Sequence, residues 1–289
     1  MTPVSAGDVK KLRETTGAGM MACKEALNAT NGDFDKAIDH LRKKGIASAE
    51  KRSGREAKEG LVVAYVQPDQ RMGVMVEINC ETDFVAKTAD FQNLANAVAL
   101  EVANRNPGAE AFHEDPNQLM RDKIMEVSGR LGENMSIRKV VQYKLSGPAG
   151  VIVPYIHPGS RLGVMVEVQC PDETVAESDA FQTLAKNLAM QVAATNPVAV
   201  RREDVPNTTV DKELEIYRTQ VRNEKKPENV VEKIVQGKLD KFFQETVLME
   251  QSYVKDPGKT VHEYIQDVSK TLGGDVVVKR FERFQLGES

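Results

Sequence analysis

Residues 61–107 recur at 151–197 with a constant offset of 90 and 21 identities in 47 positions. The chain must therefore build one fold unit twice and pack the two copies together. Gly73-Val74-Met75-Val76-Glu77 returns as Gly163-Val164-Met165-Val166-Glu167, Cys80 as Cys170, Phe91-Gln92 as Phe181-Gln182, and Asn106-Pro107 as Asn196-Pro197. Each copy opens with two β-rich runs, Leu61 to Val66 and Val74 to Cys80 in the first, parted by a turn with Pro68, Asp69 and Gly73. That pattern predicts a hairpin. Phe91, Leu94, Ala95, Val98 and Val102 then fall at helical spacing, matched by Phe181, Leu184, Ala185, Leu188 and Val192, so one helix covers the sheet of each copy.

The likeness resumes at offset 141, where Ile124, Val127, Ser128, Leu131 and Gly132 match Ile265, Val268, Ser269, Leu272 and Gly273. The second copy thus carries 51 extra residues, and closing strands over Ser136–Leu145 and Val277–Leu286 complete the two units. Within the insertion, Val210, Leu214, Tyr217 and Val221 form one apolar stripe and Val231, Ile234, Val235, Leu239 and Phe242 another, on either side of Lys225-Lys226-Pro227. Two antiparallel helices with a basic tip are expected, serving either as a contact device or as a stabilising arm. Ahead of the repeat, Ser5 with Asp8 reads as a capping box, Gly17 and Gly19 as a break, Met20–Leu27 as a second helix, and Asp33 as the cap of a third that ends at Gly45. The expected fold class is α+β, with 1–46 an N-terminal three-helix module, 47–60 an exposed linker, 61–146 the first core subdomain, 147–207 with 251–289 the second, and 208–250 a coiled-coil hairpin.

A net charge of −4 argues against a dedicated nucleic-acid binder, which needs a concentrated basic surface. No apolar run reaches the ~20 residues that cross a bilayer, and the amino terminus lacks an apolar signal core, so no membrane partner and a cytoplasmic location are expected. Cys23, Cys80 and Cys170 stand alone in apolar contexts and suit small buried side chains better than a disulfide or metal framework. His40, His113, His157 and His262 are scattered without metal-ligand spacing, and His40 is expected at the surface. No phosphate-binding loop, dinucleotide fingerprint, zinc-protease or serine-hydrolase motif occurs. No metal or cofactor is expected, and a binding protein is favoured over an enzyme.

The duplication also separates packing from function, because packing positions should recur in both copies while a one-sided function should not. After Cys80 the first copy reads Glu81-Thr82-Asp83-Phe84-Val85-Ala86-Lys87, and the second reads Pro171-Asp172-Glu173-Thr174-Val175-Ala176-Glu177. Val and Ala persist, and Phe84 does not. An aromatic that its structural twin lacks is either an exposed contact beside a carboxylate or, with Thr82 or Asp83 capping a helical turn, the filler of a local gap. The hairpin tips differ too, with His157 where the first copy has Gln67, either a partner contact or a solvated turn. Met20 and Met21, just after Gly17-Ala18-Gly19, are either core or an adaptable contact surface.

The run Leu12-Arg13-Glu14-Thr15-Thr16-Gly17-Ala18-Gly19-Met20-Met21-Ala22-Cys23-Lys24, the segment Cys80 to Lys87, and Gly132-Glu133-Asn134-Met135-Ser136-Ile137-Arg138 together resemble the bacterial elongation factor Ts family. The resemblance spans essentially the whole chain. It implies an amino-terminal module like a ubiquitin-associated domain and a guanine nucleotide exchange factor that binds elongation factor Tu, GDP-bound or nucleotide-free, and speeds GDP release. It further implies that Asp83 and Phe84 enter the GTPase near its Mg2+ site, that Thr82 and Val85 shape that turn, that Arg13, Met20 and Met21 touch the same domain, and that His157 faces the partner's third domain. The alternatives are a scaffold that binds translation factors without changing nucleotide affinity, and an enzyme with a site between the two copies.

Overall fold

A computed structural model describes residues 4–105, 115–224 and 227–288. Asn106, Pro107, His113, Lys225 and Lys226 lie outside the described residues. The chain opens with α1 (Ala6–Thr16), whose N-terminus is closed by the Ser5–Asp8 capping box and whose C-terminus turns on Gly17 at φ 68°. Next come α2 (Met20–Ala29) and α3 (Phe34–Glu50). Val9, Leu12, Cys23, Ala26, Leu27 and Ala37 form their shared core.

Helix α3 differs from the sequence expectation by running through Gly45 to Glu50. Glycine weakens a helix interior, but here it admits a neighbouring backbone. A Cβ built on Gly129 would lie 2.6 Å from the Gly45 carbonyl carbon. The expected linker is consequently ordered in its first half. Ala49 is buried, Arg52 donates to the Ser128 carbonyl at 3.3 Å, and the Asn134 amide donates to the carbonyls of Ser53 and Arg55 at 3.3 and 2.6 Å.

The first copy comprises β1 (Glu59–Val66), β2 (Met72–Cys80), α4 (Asp83–Ala86), α5 (Ala89–Arg105), α6 (Pro116–Leu119), α7 (Arg121–Leu131) and β3 (Met135–Lys144). Its antiparallel sheet has the order β1-β2-β3. The second copy repeats this with β4 (Ala149–Ile156), β5 (Leu162–Cys170), α8 (Glu173–Glu177) and α9 (Asp179–Thr195). After the inserted α10 (Asn207–Asn223) and α11 (Glu228–Thr246) come a two-stranded ribbon of β6 (Ser252–Tyr253) and β7 (Asp256–Thr260), then α12 (Val261–Leu272) and β8 (Val277–Gln285). Its main sheet runs β4-β5-β8, and the β2 and β5 ladders slip at equivalent places, Glu77/Ile78 and Glu167/Val168.

The helical stripes bury as the periodicity requires. Phe91, Leu94, Ala95, Val98 and Val102 pack with Val74, Val76 and Ile78, while Phe181, Leu184, Ala185, Leu188 and Val192 pack with Val164, Val166 and Val168. The opposite sheet faces meet through Val62, Met75, Tyr143, Leu145, Ile152, Met165 and Phe284. That interface is self-complementary, as a two-fold contact must be. Val62 N donates to Ser160 O at 2.7 Å while its twin Ile152 N donates to Gln70 O at 2.8 Å, and Leu145 N to Arg71 O at 2.7 Å is matched by Leu286 N to Arg161 O at 2.8 Å. Gly73 and Gly163 lie at this interface, where added Cβ atoms would meet Ile152 Cγ2 at 2.9 Å and Val62 Cγ1 at 2.4 Å.

The inserted helices pack against each other, with Val221, Val231 and Val235 buried distally and Leu239, Phe243 and Val247 near their root. Phe243 buries more fully than Phe242, the residue that spacing favoured. The insertion also ends earlier than residue 250. Leu248 belongs to the second copy's core, its amide donating to Ala199 O at 2.9 Å.

Candidate interaction surface

Strand β2 ends at Cys80, whose thiol donates to Thr82 O at 3.2 Å. Burial, with Glu133 as a lesser influence, pushes that thiol up to about 12, so it stays neutral and packs. Thr82, extended at φ −128° and ψ 153°, caps α4 by accepting from Val85 N at 3.4 Å. Val85 is half-buried and Ala86 buried. Phe84 points outward and is 78% exposed. Thr82 is thus a cap, and the Phe84 ring fills no gap. The Asp83 carboxylate accepts from Lys87 Nζ at 2.6 Å, and that bond holds its pKa below the usual carboxylate range.

The mount beneath this turn comes from a residue to which sequence reading assigned no role. Glu133 accepts from Glu81 N at 3.1 Å, Thr82 N at 3.0 Å and Thr82 Oγ1 at 2.6 Å. Reciprocally, Glu81 accepts from Asn134 N at 2.7 Å. Charge-assisted bonds of this kind are the strong ones. The second copy has no such clamp. Gly274 occupies the position of Glu133, where an added Cβ would meet Pro171 Cγ at 2.3 Å, and exposed Thr174 stands in place of Phe84. Comparing the repeats at offset 141 would have exposed Glu133 against Gly274.

Met20 and Met21 are 49% and 68% exposed at the start of α2, and Arg13 is exposed in the last turn of α1. Both elements flank Gly17, where a Cβ would meet Arg130 Cδ at 3.0 Å. Arg130 in turn pairs with Asp90 in the first turn of α5, at 3.3 Å. A line of contacts thus joins the α1–α2 turn to the helix that follows Phe84. His157 lies on another hairpin, exposed in the β4–β5 turn, its Nδ1 3.0 Å from the Tyr155 hydroxyl.

Glu77 and Glu167 are equivalent buried carboxylates on the central strands. Glu167 accepts from Ser146 N and Oγ, Gln169 Nε2 and Arg280 Nε at 2.7–2.8 Å. Burial pushes its pKa up, but these donors outweigh burial and leave it lowered. Glu77 lies 3.4 Å from Asn79 Nδ2 and 4.0 Å from Arg138 Nε. Among the described residues no group of three or more His, Cys, Asp or Glu is arranged to hold a metal ion, and no helix is long and apolar enough to cross a membrane.

The class defined by these features is an α+β protein that displays exposed apolar side chains on ordered mounts. A family model described as Elongation factor TS matches residues 81–288. Proteins named Elongation factor Ts from Clostridium botulinum strain ATCC 19397 / Type A and strain Alaska E43 / Type E3 are each 45% identical, over 291 and 289 residues, covering 99% of this chain and 93% of theirs. The chain belongs to the elongation factor Ts family, the nucleotide exchange factors of translation elongation.

Proposed function

We propose that this chain, acting in the cytoplasm, binds elongation factor Tu in its GDP-bound and nucleotide-free forms and promotes GDP release by disturbing the Mg2+ site of that GTPase. The observation that carries the reading is Phe84, a 78% exposed aromatic held on a turn that is itself tied down by Glu133. A large exposed ring on a fixed mount is what an interface anchor requires. Thr82 and Val85 set the turn, and ionised Asp83 brings negative charge to the same point. Arg13, Met20 and Met21 contact the same GTPase domain, and His157 meets a separate domain of the partner.

In P-loop GTPases a metal ion bridges nucleotide phosphates and protein oxygens and neutralises their charge. A factor that favours the nucleotide-free conformation must, by linkage, weaken GDP binding by the same factor. No covalent step is involved. Phe84→Ala is expected to slow saturating GDP release about 30-fold, the equivalent of the ~2 kcal/mol of an interface anchor at 1.4 kcal/mol per tenfold. Stability should change by less than ~0.5 kcal/mol, because the ring is exposed in the free protein. Stopped-flow release of fluorescent GDP reads this directly. Unchanged release would remove the wedge, and binding with an unaltered GDP off-rate would favour a scaffold.

A further inference from the structure

We infer that Gly129 and Arg130 of α7 are positioning residues that hold the N-terminal module against the core, so that Met20, Met21 and Phe84 engage the partner as one rigid surface. This rests on the exchange-factor reading above. The seam is narrow. Helix α3 crosses α7 where Gly45 meets Gly129 backbone to backbone, flanked by Arg121–Glu50 at 3.6 Å and the Arg52 bond to Ser128 O at 3.3 Å. Beside it a cavity of about 340 Å³, lined by Thr16, Ala18, Ala22, Leu41, Glu126 and Arg130 among others, separates the α1–α2 turn from α7. The glycine crossing sets how closely α3 and α7 approach, and the Arg130 stem lies against Gly17, so both act on the attitude of the module. The far end of the same arginine holds Asp90 at 3.3 Å, six residues beyond Phe84.

Two contact groups fixed to each other bind with the ordering already done, whereas two groups joined by a loose tether must be ordered at the moment of binding. The seam therefore governs how much factor is needed for half-maximal exchange. It leaves alone the rate once the complex has formed, which belongs to the Phe84 turn.

The glycine crossing is unequal in a way that isolates its role. A methyl on Gly45 would sit 3.5 Å from Gly129 Cα, an ordinary contact, while a methyl on Gly129 would sit 2.6 Å from the Gly45 carbonyl carbon. Both substitutions put a better helix former into a helix, so a difference between them reports the seam rather than helix formation. In titrations of fluorescent-GDP release from elongation factor Tu, Gly129→Ala should raise the half-saturating concentration at least fivefold with the saturating rate within twofold of wild type. Gly45→Ala should raise it by less than twofold. Arg130→Ala, which spares the crossing, should move it in the same direction as Gly129→Ala by a smaller factor. An unchanged half-saturating concentration in both Gly129→Ala and Arg130→Ala would overturn the inference, as would a fall in saturating rate as large as the rise in that concentration. If Phe84→Ala itself leaves release untouched, the exchange-factor reading fails first. If Phe84→Ala slows release and the seam variants do not differ from wild type, only the positioning role fails.

Discussion

Removing the Glu133 carboxylate tests whether the mount of Phe84 matters as much as the ring. Glu133→Ala deletes three charge-assisted hydrogen bonds, from Glu81 N, Thr82 N and Thr82 Oγ1. Bonds to charged groups contribute roughly 1.5–3 kcal/mol each when fully desolvated, and an orphaned buried donor costs about 1–3 kcal/mol. All three groups are half-buried, so water can replace part of what is lost. A total of about 3 kcal/mol follows, a large share of the ~5–15 kcal/mol that holds a domain together. Chemical denaturation followed by circular dichroism measures that loss. The functional consequence is separable: the Thr82 cap would remain, but the segment entering α4 would need ordering on binding. An ordering cost near 1.4 kcal/mol makes half-saturation of exchange about tenfold harder. Glu133→Gln keeps the approximate shape and one acceptor oxygen, enough for the two backbone N–H groups that share Oε2, and should lose only about 1 kcal/mol of stability. Wild-type stability and exchange in Glu133→Ala would refute the clamp.

Two further outcomes follow from the core. Excising 208–246 and bridging the gap with a short Gly-Ser linker should leave a folded protein, whereas excising 208–250 also removes Leu248 from the second core and should cost a further ~2–5 kcal/mol, seen as a lower denaturation midpoint. Glu167 titrates below the usual glutamate value of 4.5 in the fold, so its contribution is present above that pH and is lost as pH falls through the depressed value. The stability gap between wild type and Glu167→Gln should accordingly be widest near neutral pH and narrow below pH 4.5, and a gap independent of pH would contradict the assignment.

Much of this architecture was written in local pattern. The hairpins, the covering helices and the closing strands all follow from period-2 and period-3.6 burial, which depends only on neighbours in the chain. The asymmetry that singles out Phe84 was also legible, because a duplicated chain supplies its own control at Thr174. Gly45 misled, since a glycine after a capped helical stretch signals a helix end unless another backbone occupies the space it leaves. The far end of the insertion misled as well, because Leu248 is apolar whether it continues the hairpin or returns to the core.

The sequence by itself determined that two related α+β units exist, that an arm interrupts the second, and which copy carries the aromatic. It did so because side-chain periodicity and repetition are properties of the chain alone. Only the tertiary structure decided that Glu133 reaches back 51 residues to fasten Thr82, that Gly45 and Gly129 cross, and that Arg130 links the α1–α2 turn to α5. Those contacts join residues that are distant in the chain, and their strength depends on hydrogen-bond angles and on ångström-scale clearances that exist only once the layers have packed.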